Sequence, residues 1–168
     1  VLAELALAAD RSFMHDGTLP DSDLPAPQLR LTAANDGWFP ASNGLSRLAT
    51  RFWGDPEALD AARARLGKDL VAAEAADAGL VTFTPDEIDW DDEVRLALEE
   101  RAAFSPDALT GLEANLRFAG PETMETKIFG RLSAWQNWIF QRPNAVGAEG
   151  ALRRFGTGSR PSYDRSRT

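Results

Sequence analysis

The sequence contains no cysteine, only one histidine, His15, and no long uninterrupted hydrophobic run. The absence of cysteine excludes disulfides, thiolate metal sites and a cysteine nucleophile. His15 has no second metal ligand within sequence reach and no triad spacing around it, which argues against a zinc site and against a Ser-His-Asp site. No apolar stretch approaches the roughly 18 residues of a membrane span, and no signal peptide is recognisable. We therefore expect a cytoplasmic protein with no membrane partner.

Basic residues are also scarce, with 18 Lys and Arg against 26 Asp and Glu, for a net charge of −8. This balance argues against a nucleic-acid partner, because phosphate contacts need clustered lysine and arginine. The charge is uneven, since residues 151–168 carry five arginines and one aspartate, or +4, which leaves −12 elsewhere. A short basic end on an acidic body is typical of a solvated terminus or a docking strap.

The composition that remains is globular, with 43% apolar and 26% charged residues in 168 positions, enough for one ordinary domain with a core. The chain opens inside a helical pattern over 2–9, in which Leu2, Leu5 and Ala9 share one face. No Ser, Thr, Asp or Asn precedes this helix to cap it. We therefore expect further sequence upstream of Val1.

Helices dominate the predicted secondary structure. After 2–9, helices are predicted over 45–53, 56–66, from a cap at Asp69 to a stop at Gly79, from a cap at Asp89 to Ala103, from Ser105 to Phe118, and from Gly120 to Pro143. Short strands are predicted over 11–14, 29–32 and 80–83. Residues 15–28 hold three prolines and few apolar groups, which predicts a mobile loop.

The last long helix is unusually rich in apolar residues. Met124, Ile128, Leu132, Trp135 and Ile139 follow helical spacing and predict one core stripe. At about 100° per residue, Phe129 and Phe140 lie to one side of it and Trp138 to the other. The helix is either buried on two sides within its own domain or packed against another chain, and the second interpretation is favoured. The candidate partner- or ligand-facing residues are Phe129, Trp138, Phe140, Gln136, Arg142 and Asn144.

Three segments resemble the crotonase (enoyl-CoA hydratase/isomerase) superfamily. They are "ELALAAD" at 4–10, "FPASNGLSRL" at 39–48 and "GKDLVAAEAADAGLVT" at 67–82, and their order along the chain matches as well. The resemblance implies a helix-dominated α/β protein with part of the spiral ClpP/crotonase fold, short strands and a C-terminal helical region. We expect a crotonase-like portion over 1–103, a helical region over 104–146 and an irregular basic tail over 147–168.

The C-terminal segment 104–158 resembles the end of the benzoyl-CoA-dihydrodiol lyase family, and the likeness extends back through "DEIDWDDEVRLALEERA" at 86–102. Members of this family are longer and have two crotonase-like halves, of which this chain resembles the second. The resemblance implies a lyase that hydrolytically opens the ring of 2,3-epoxybenzoyl-CoA and releases formate, in aerobic benzoate degradation through CoA thioesters. It implies no metal or redox cofactor. The implied partners are the acyl-CoA substrate of the complete enzyme, the missing N-terminal half and a second copy in a homodimer.

Crotonase-type catalysis needs backbone N–H groups that hold the thioester enolate oxygen and carboxylates that move protons. Alignment on the proline turn and on the 67–82 segment places Ala33 and Ala62 at the two usual glutamate positions. Alanine cannot transfer a proton, so the chain alone is expected to be inactive, with the catalytic residues upstream of Val1. The alternatives are a dimerisation or scaffold module without catalysis, and an enoyl-CoA hydratase-like enzyme, which Ala33 and Ala62 disfavour.

Overall fold

The computed structural model of the protein describes residues 2–117 and 119–167. The chain divides into two compact units, Val1–Ala97 and Leu98–Thr168, called unit 1 and unit 2 below. Many helices and two short strands agree with the predicted helix-dominated α/β class. In the described part of the chain, none of the helices has both the length and the apolar character that crossing a membrane requires. The division into 1–103, 104–146 and 147–168 stays a prediction.

Unit 1 is built from short helices and one pair of strands. Its elements are α1 (Ala3–Ala8), β1 (Leu29–Arg30), α2 (Ala33–Gly37), α3 (Arg47–Arg51), α4 (Pro56–Arg63), β2 (Asp69–Leu70), α5 (Ala72–Asp77) and the first part of α6 (Trp90–Ala103). Side-chain caps set two of the helix starts, since Ser46 accepts from Ala49 N at 3.1 Å and Asp55 accepts from Ala58 N at 3.0 Å. Pro56 follows Asp55 at the first helical position, where its missing N–H has no helical partner to lose.

The prediction that Asp69 caps a helix is wrong. Asp69 lies in β2, which pairs antiparallel with β1 so that Asp69 stands opposite Arg30. The Asp69 carboxylate accepts hydrogen bonds from the Arg30 guanidinium, and this contact lowers the pKa of the Asp69 carboxyl. Opposite charges across a strand pair stabilise the pairing. The helix α5 therefore starts later, where Glu74 accepts from Val71 N at 3.2 Å.

The strands predicted over 11–14 and 80–83 are reduced to one isolated parallel bridge between Phe13 and Phe83. Met14 N donates to Phe83 O at 3.0 Å, and the two phenylalanine rings stack with centroids 4.9 Å apart. Pro85, which has no N–H to donate, ends the second run. The two segments predicted as strands therefore do contact each other, but they pair over too few residues to form a regular β-sheet.

The hydrophobic core of unit 1 consists mainly of leucine and alanine. Its fully or almost fully buried members are Leu31, Leu48, Ala62, Leu70, Ala72, Ala75 and Leu80, with Ala3 and Leu7 of α1 packed among them. The predicted face of α1 is wrong, because Leu2 and Leu5 are exposed while Ala3 and Leu7 are buried. At about 100° per residue, the buried face lies about 150° around the helix from the predicted one.

All the regular secondary structure in the described residues of unit 2 is helical. It contains the end of α6, then α7 (Pro106–Leu116), a π-helix (Thr126–Leu132), α8 (Ser133–Ile139), α9 (Pro143–Val146), α10 (Ala151–Arg154) and a 3₁₀ turn (Arg165–Arg167). Ser105 accepts from Ala108 N at 3.5 Å at the start of α7, as its position before Pro106 predicts. The predicted end of this helix at Phe118 lies outside the described residues.

The predicted core stripe of the last helix is wrong at its N-terminal end. The stripe assumes about 3.6 residues per turn, whereas a π-helix bonds i to i+5 and has a wider turn. Leu132 at the end of the π-helix and Met124 just before it are exposed, and Trp135 and Ile139 remain the partly buried members on α8. Here α7 comes very close, because a Cβ on Gly111 would lie 2.7 Å from Ile139 Cδ1.

The turn between α9 and α10 also requires a residue without a side chain. A Cβ on Gly150 would lie 2.8 Å from the carbonyl oxygens of both Pro143 and Ala145. These are backbone atoms, which cannot rotate away as a side chain can. Close packing of the backbone thus fixes glycine at this position.

We predict that Gly150→Ala destabilises the fold by about 1–3 kcal/mol, because overpacking forces the backbone apart. The matched control is Gly130→Ala in the π-helix, where a Cβ would meet nothing within 4 Å. Alanine there should be neutral or stabilising by up to about 1 kcal/mol. Thermal unfolding followed by circular dichroism measures both variants. Equal stabilities would show that the α9–α10 turn is not restricted by this packing.

Candidate functional site

Unit 1 contains a cavity of about 290 Å³ beside an ionisable side chain. It is lined by Glu4, Phe39, Pro40, Ala41 and Arg47. The Glu4 carboxylate is 13% exposed, so most of it is held inside the protein. A cavity with apolar walls and a few polar groups is the usual form of a small-molecule site.

Two partners hold the Glu4 carboxylate from different helices. Oε1 accepts from Asn35 Nδ2 at 2.7 Å, and Oε2 lies 3.5 Å from Arg47 Nε in an ion pair. Oε2 accepts no hydrogen bond from the described residues. The Arg47 charge compensates the buried negative charge, which would otherwise be costly.

The orientation of Asn35 follows from its place at the start of α2. Asn35 Oδ1 accepts from Thr32 N at 2.9 Å, which caps the helix and turns Nδ2 toward Glu4. Asn35 is almost fully buried, so its amide has little choice of partner. The result is one polar cluster that joins α1, α2 and α3.

Chemically, a carboxylate at the edge of a cavity can act as a proton acceptor or as a structural ion pair. Glu4 is absent from the candidate residues predicted from the sequence. The sequence could have indicated Glu4, because it lies three residues before Leu7 and therefore on the same side of α1 as the buried residues. Assigning the apolar face to Leu2 and Leu5 concealed it.

The two alanines at the usual glutamate positions lie in different surroundings. Ala62 is 0% exposed, within the core of unit 1. Ala33 is the first residue of α2 and is exposed. Neither alanine could transfer a proton, and their assignment to the usual glutamate positions stays a prediction.

Among the candidate partner-facing residues, three remain at the surface. Phe129 is 72% exposed, and Phe140 and Gln136 are exposed too. Trp138 is partly buried, with its ring edge-on to Trp135 at 5.4 Å and under the Arg142 guanidinium at 4.6 Å. An arginine in this position gains a cation–π contact.

The polar candidates Arg142 and Asn144 bind within unit 2. Arg142 Nε donates to Oδ1 of the fully buried Asp107 at 3.1 Å. Asn144 is buried, and its amide donates to Asp164 O at 2.9 Å and accepts from Asp164 N at 2.8 Å. These two side chains therefore make contacts within the unit and its C-terminal segment, and their role in facing a partner or ligand stays a prediction.

His15 is also buried, with Nδ1 at 3.1 Å from Gly17 O and its ring edge-on to Trp90 at 5.4 Å. The described residues contain no group of three or more His, Asp and Glu side chains placed to hold a metal ion.

No family model matches the chain. The chain is 56% identical over 166 residues to a benzoyl-CoA-dihydrodiol lyase of Aromatoleum evansii. The predicted resemblance to benzoyl-CoA-dihydrodiol lyases is confirmed. The aligned residues are 99% of this chain and 29% of the Aromatoleum lyase, so the chain spans less than a third of that relative's length. Since the relative is named a lyase, the predicted relationship to a lyase is confirmed as well.

The cluster around Glu4 gives a prediction for stability. Asn35→Ala should lower the free energy of unfolding by about 1–3 kcal/mol, because it removes the hydrogen bonds that the buried Asn35 amide makes to Glu4 and Thr32. The control is Asn43→Ala, since Asn43 Oδ1 accepts from Leu45 N at an exposed turn, and its loss should be smaller. Urea denaturation measures both. A loss at Asn43 equal to that at Asn35 would contradict the structural role of the cluster.

Proposed function

We propose that this chain is the C-terminal, non-catalytic part of an enzyme that hydrolytically opens the ring of 2,3-epoxybenzoyl-CoA and releases formate. The enzyme serves aerobic benzoate degradation through CoA thioesters and is cytoplasmic. The observation that carries the proposal is the 56% identity, across 99% of this chain, to a named benzoyl-CoA-dihydrodiol lyase. The proposal includes a crotonase-like fold for the complete enzyme.

Two features support the absence of catalysis in this part. The positions of the usual glutamates hold Ala33 and Ala62, and Ala62 lies in the core of unit 1. Glu4, the carboxylate beside the unit 1 cavity, is already engaged with Asn35 and Arg47. A proton acceptor must be within hydrogen-bond reach of its substrate, and the hydrogen bond to Oε1 and the Arg47 charge beside Oε2 both favour a structural role for Glu4.

In the proposed enzyme, the acyl-CoA thioester and water meet residues of the remaining polypeptide. Ring opening needs donors to the thioester oxygen and carboxylates that activate water. This chain contributes a folded body on which that polypeptide is held, and the complete protein forms a homodimer. The expected reaction has no metal or redox step.

A second candidate function is an enoyl-CoA hydratase-like activity within this chain. It is favoured by one observation, the Glu4 carboxylate at the edge of a cavity of about 290 Å³. Addition of water to a double bond needs a proton donor as well as an acceptor, yet the described lining of this cavity contains no second acid. The third candidate is a dimerisation or scaffold module in a protein that has no catalytic activity. It predicts that the complete protein turns over no acyl-CoA.

The decisive test of the first proposal uses a chimera in which this chain replaces the aligned 166 residues of the Aromatoleum lyase. Glu4→Gln in the chimera should leave kcat/KM for ring opening within about threefold, whereas loss of a general acid or base reduces rates by about 10²–10⁴. The control is Glu57→Gln, an exposed glutamate on α4. A reduction of 10² or more at Glu4 alone, with unchanged unfolding temperature, would overturn the non-catalytic assignment.

A simpler experiment addresses the hydratase alternative. The purified 168-residue chain should hydrate no enoyl-CoA and open no epoxide, because its described cavity offers one engaged carboxylate. Turnover is measured by the loss of thioester substrate on chromatography. A rate that survives purification and disappears in Glu4→Gln would assign catalysis to this chain instead.

A further inference from the structure

Unit 2 has almost no hydrophobic core of its own. In its described residues the one buried hydrophobic residue is Ala145, and the other buried side chains are those of Ser105, Asp107 and Asn144. Burial of large apolar side chains is the main source of stability in a compact unit. A unit of this composition is therefore incomplete unless other protein covers its apolar residues.

Several of the uncovered residues lie on the segment that contains the π-helix and α8, and others, such as Leu98 and Phe155, lie elsewhere in unit 2. Met124, Phe129, Leu132 and Phe140 are each about half to three-quarters exposed, with Phe129 at 72% and Met124 at 68%. We call these four side chains the 124–140 surface. Large apolar groups gathered on one short segment are typical of a protein–protein contact.

A groove lies beside this segment. It has a volume of about 620 Å³ between α7, the π-helix and α8, with apolar walls from Leu109, Ala114 and Trp135. Arg131 stands in its lining and is fixed, because its guanidinium donates to Asn115 O at 2.6 Å and pairs with Glu122 at 3.0 Å. The groove therefore has a lining in which Arg131 is held in place, and it has space for side chains from another segment.

The backbone of the segment is itself unusual. Residues Thr126–Leu132 form a π-helix, a conformation that is rare and is frequently found at functional sites. Here it places Phe129 and Leu132 at the surface, where a regular helix in the predicted register would bury Leu132. Packing within unit 2 does not explain the π-helix, because Phe129 and Leu132 are exposed there. A contact between these side chains and another polypeptide would explain it.

We propose that the 124–140 surface and the adjoining groove bind the remaining polypeptide of the longer enzyme. The proposal rests on the proposed function. The occupant follows from length, since the aligned part is 29% of the Aromatoleum lyase and more than two-thirds of that protein lies outside it. A partner of that size contains ample apolar surface, and its covalent connection would raise its effective concentration at this site.

Cysteine labelling tests the proposal directly, because the chain has no cysteine of its own. Phe129→Cys and Leu132→Cys are each made in the 168-residue chain and in the chimera described above, and reaction with a maleimide is followed by peptide mass spectrometry. Both should react rapidly in the chain alone and about a hundredfold more slowly in the chimera, since a covered site reacts only when it opens locally. Arg153→Cys, at an exposed position of α10, should react at the same rate in both proteins.

A second readout does not depend on labelling. Phe129→Ser combined with Leu132→Ser should leave the unfolding temperature of the chain alone unchanged or raised, and should lower that of the chimera. Equal labelling rates at Phe129 in the chain and the chimera would overturn the proposal. Protection in the chain alone that increases with its concentration would also overturn it, and would assign the surface to a second copy. Because neither readout measures turnover, failure here is distinct from failure of the catalytic assignment at Glu4.

Discussion

The architecture of unit 1 depends on one buried carboxylate. Glu4 accepts a hydrogen bond from Asn35 and pairs with Arg47, so one side chain of α1 connects α2 and α3. Helices of five or six residues are unstable in isolation, and these three have that length. Their stability must come from contacts with one another. A polar contact with defined geometry also fixes which helices meet, which a core made largely of alanine and leucine does less well.

Unit 2 achieves order by different means. Its interior contains polar contacts, with Arg142 between Asp107 and the Trp138 ring and with Asn144 paired to the backbone of Asp164. Breaking a buried pair is costly, although such pairs add less net stability than apolar packing of the same volume. Unit 2 is thus specific in its internal contacts and poor in hydrophobic burial. This combination fits a body whose exposed apolar residues are covered in a larger protein.

Local signals in the sequence predict much of this fold. The helix starts at Asp55 and Ser105 follow from a capping side chain before a proline, and both are present. Predictions that needed knowledge of distant neighbours were less successful. Asp69 has the properties of a helix cap, but its partner Arg30 lies 39 residues earlier, and no local pattern shows that pairing.

The candidate site was harder to predict for a related reason. Both errors in the helix faces come from the assumed position or period of an apolar stripe. The wrong choice of face in α1 hid Glu4, and the π-helix changed which residues of 124–140 are exposed. Phe129 and Phe140 are exposed, and their role in facing a partner stays a prediction. Arg142 and Asn144 bind to Asp107 and to the backbone of Asp164 within the unit.

The pairing of Asn144 with Asp164 also bears on when the protein can finish folding. The two residues are 20 positions apart, and Asn144 lies in α9, which also packs against α7 and α10. Domains commonly fold while the ribosome is still extending the chain. The buried amide of Asn144 can receive its partner only after Asp164 has left the exit tunnel. Until then a nascent chain would carry a helix with an unsatisfied amide, and unit 2 would reach its final state after translation has passed this point.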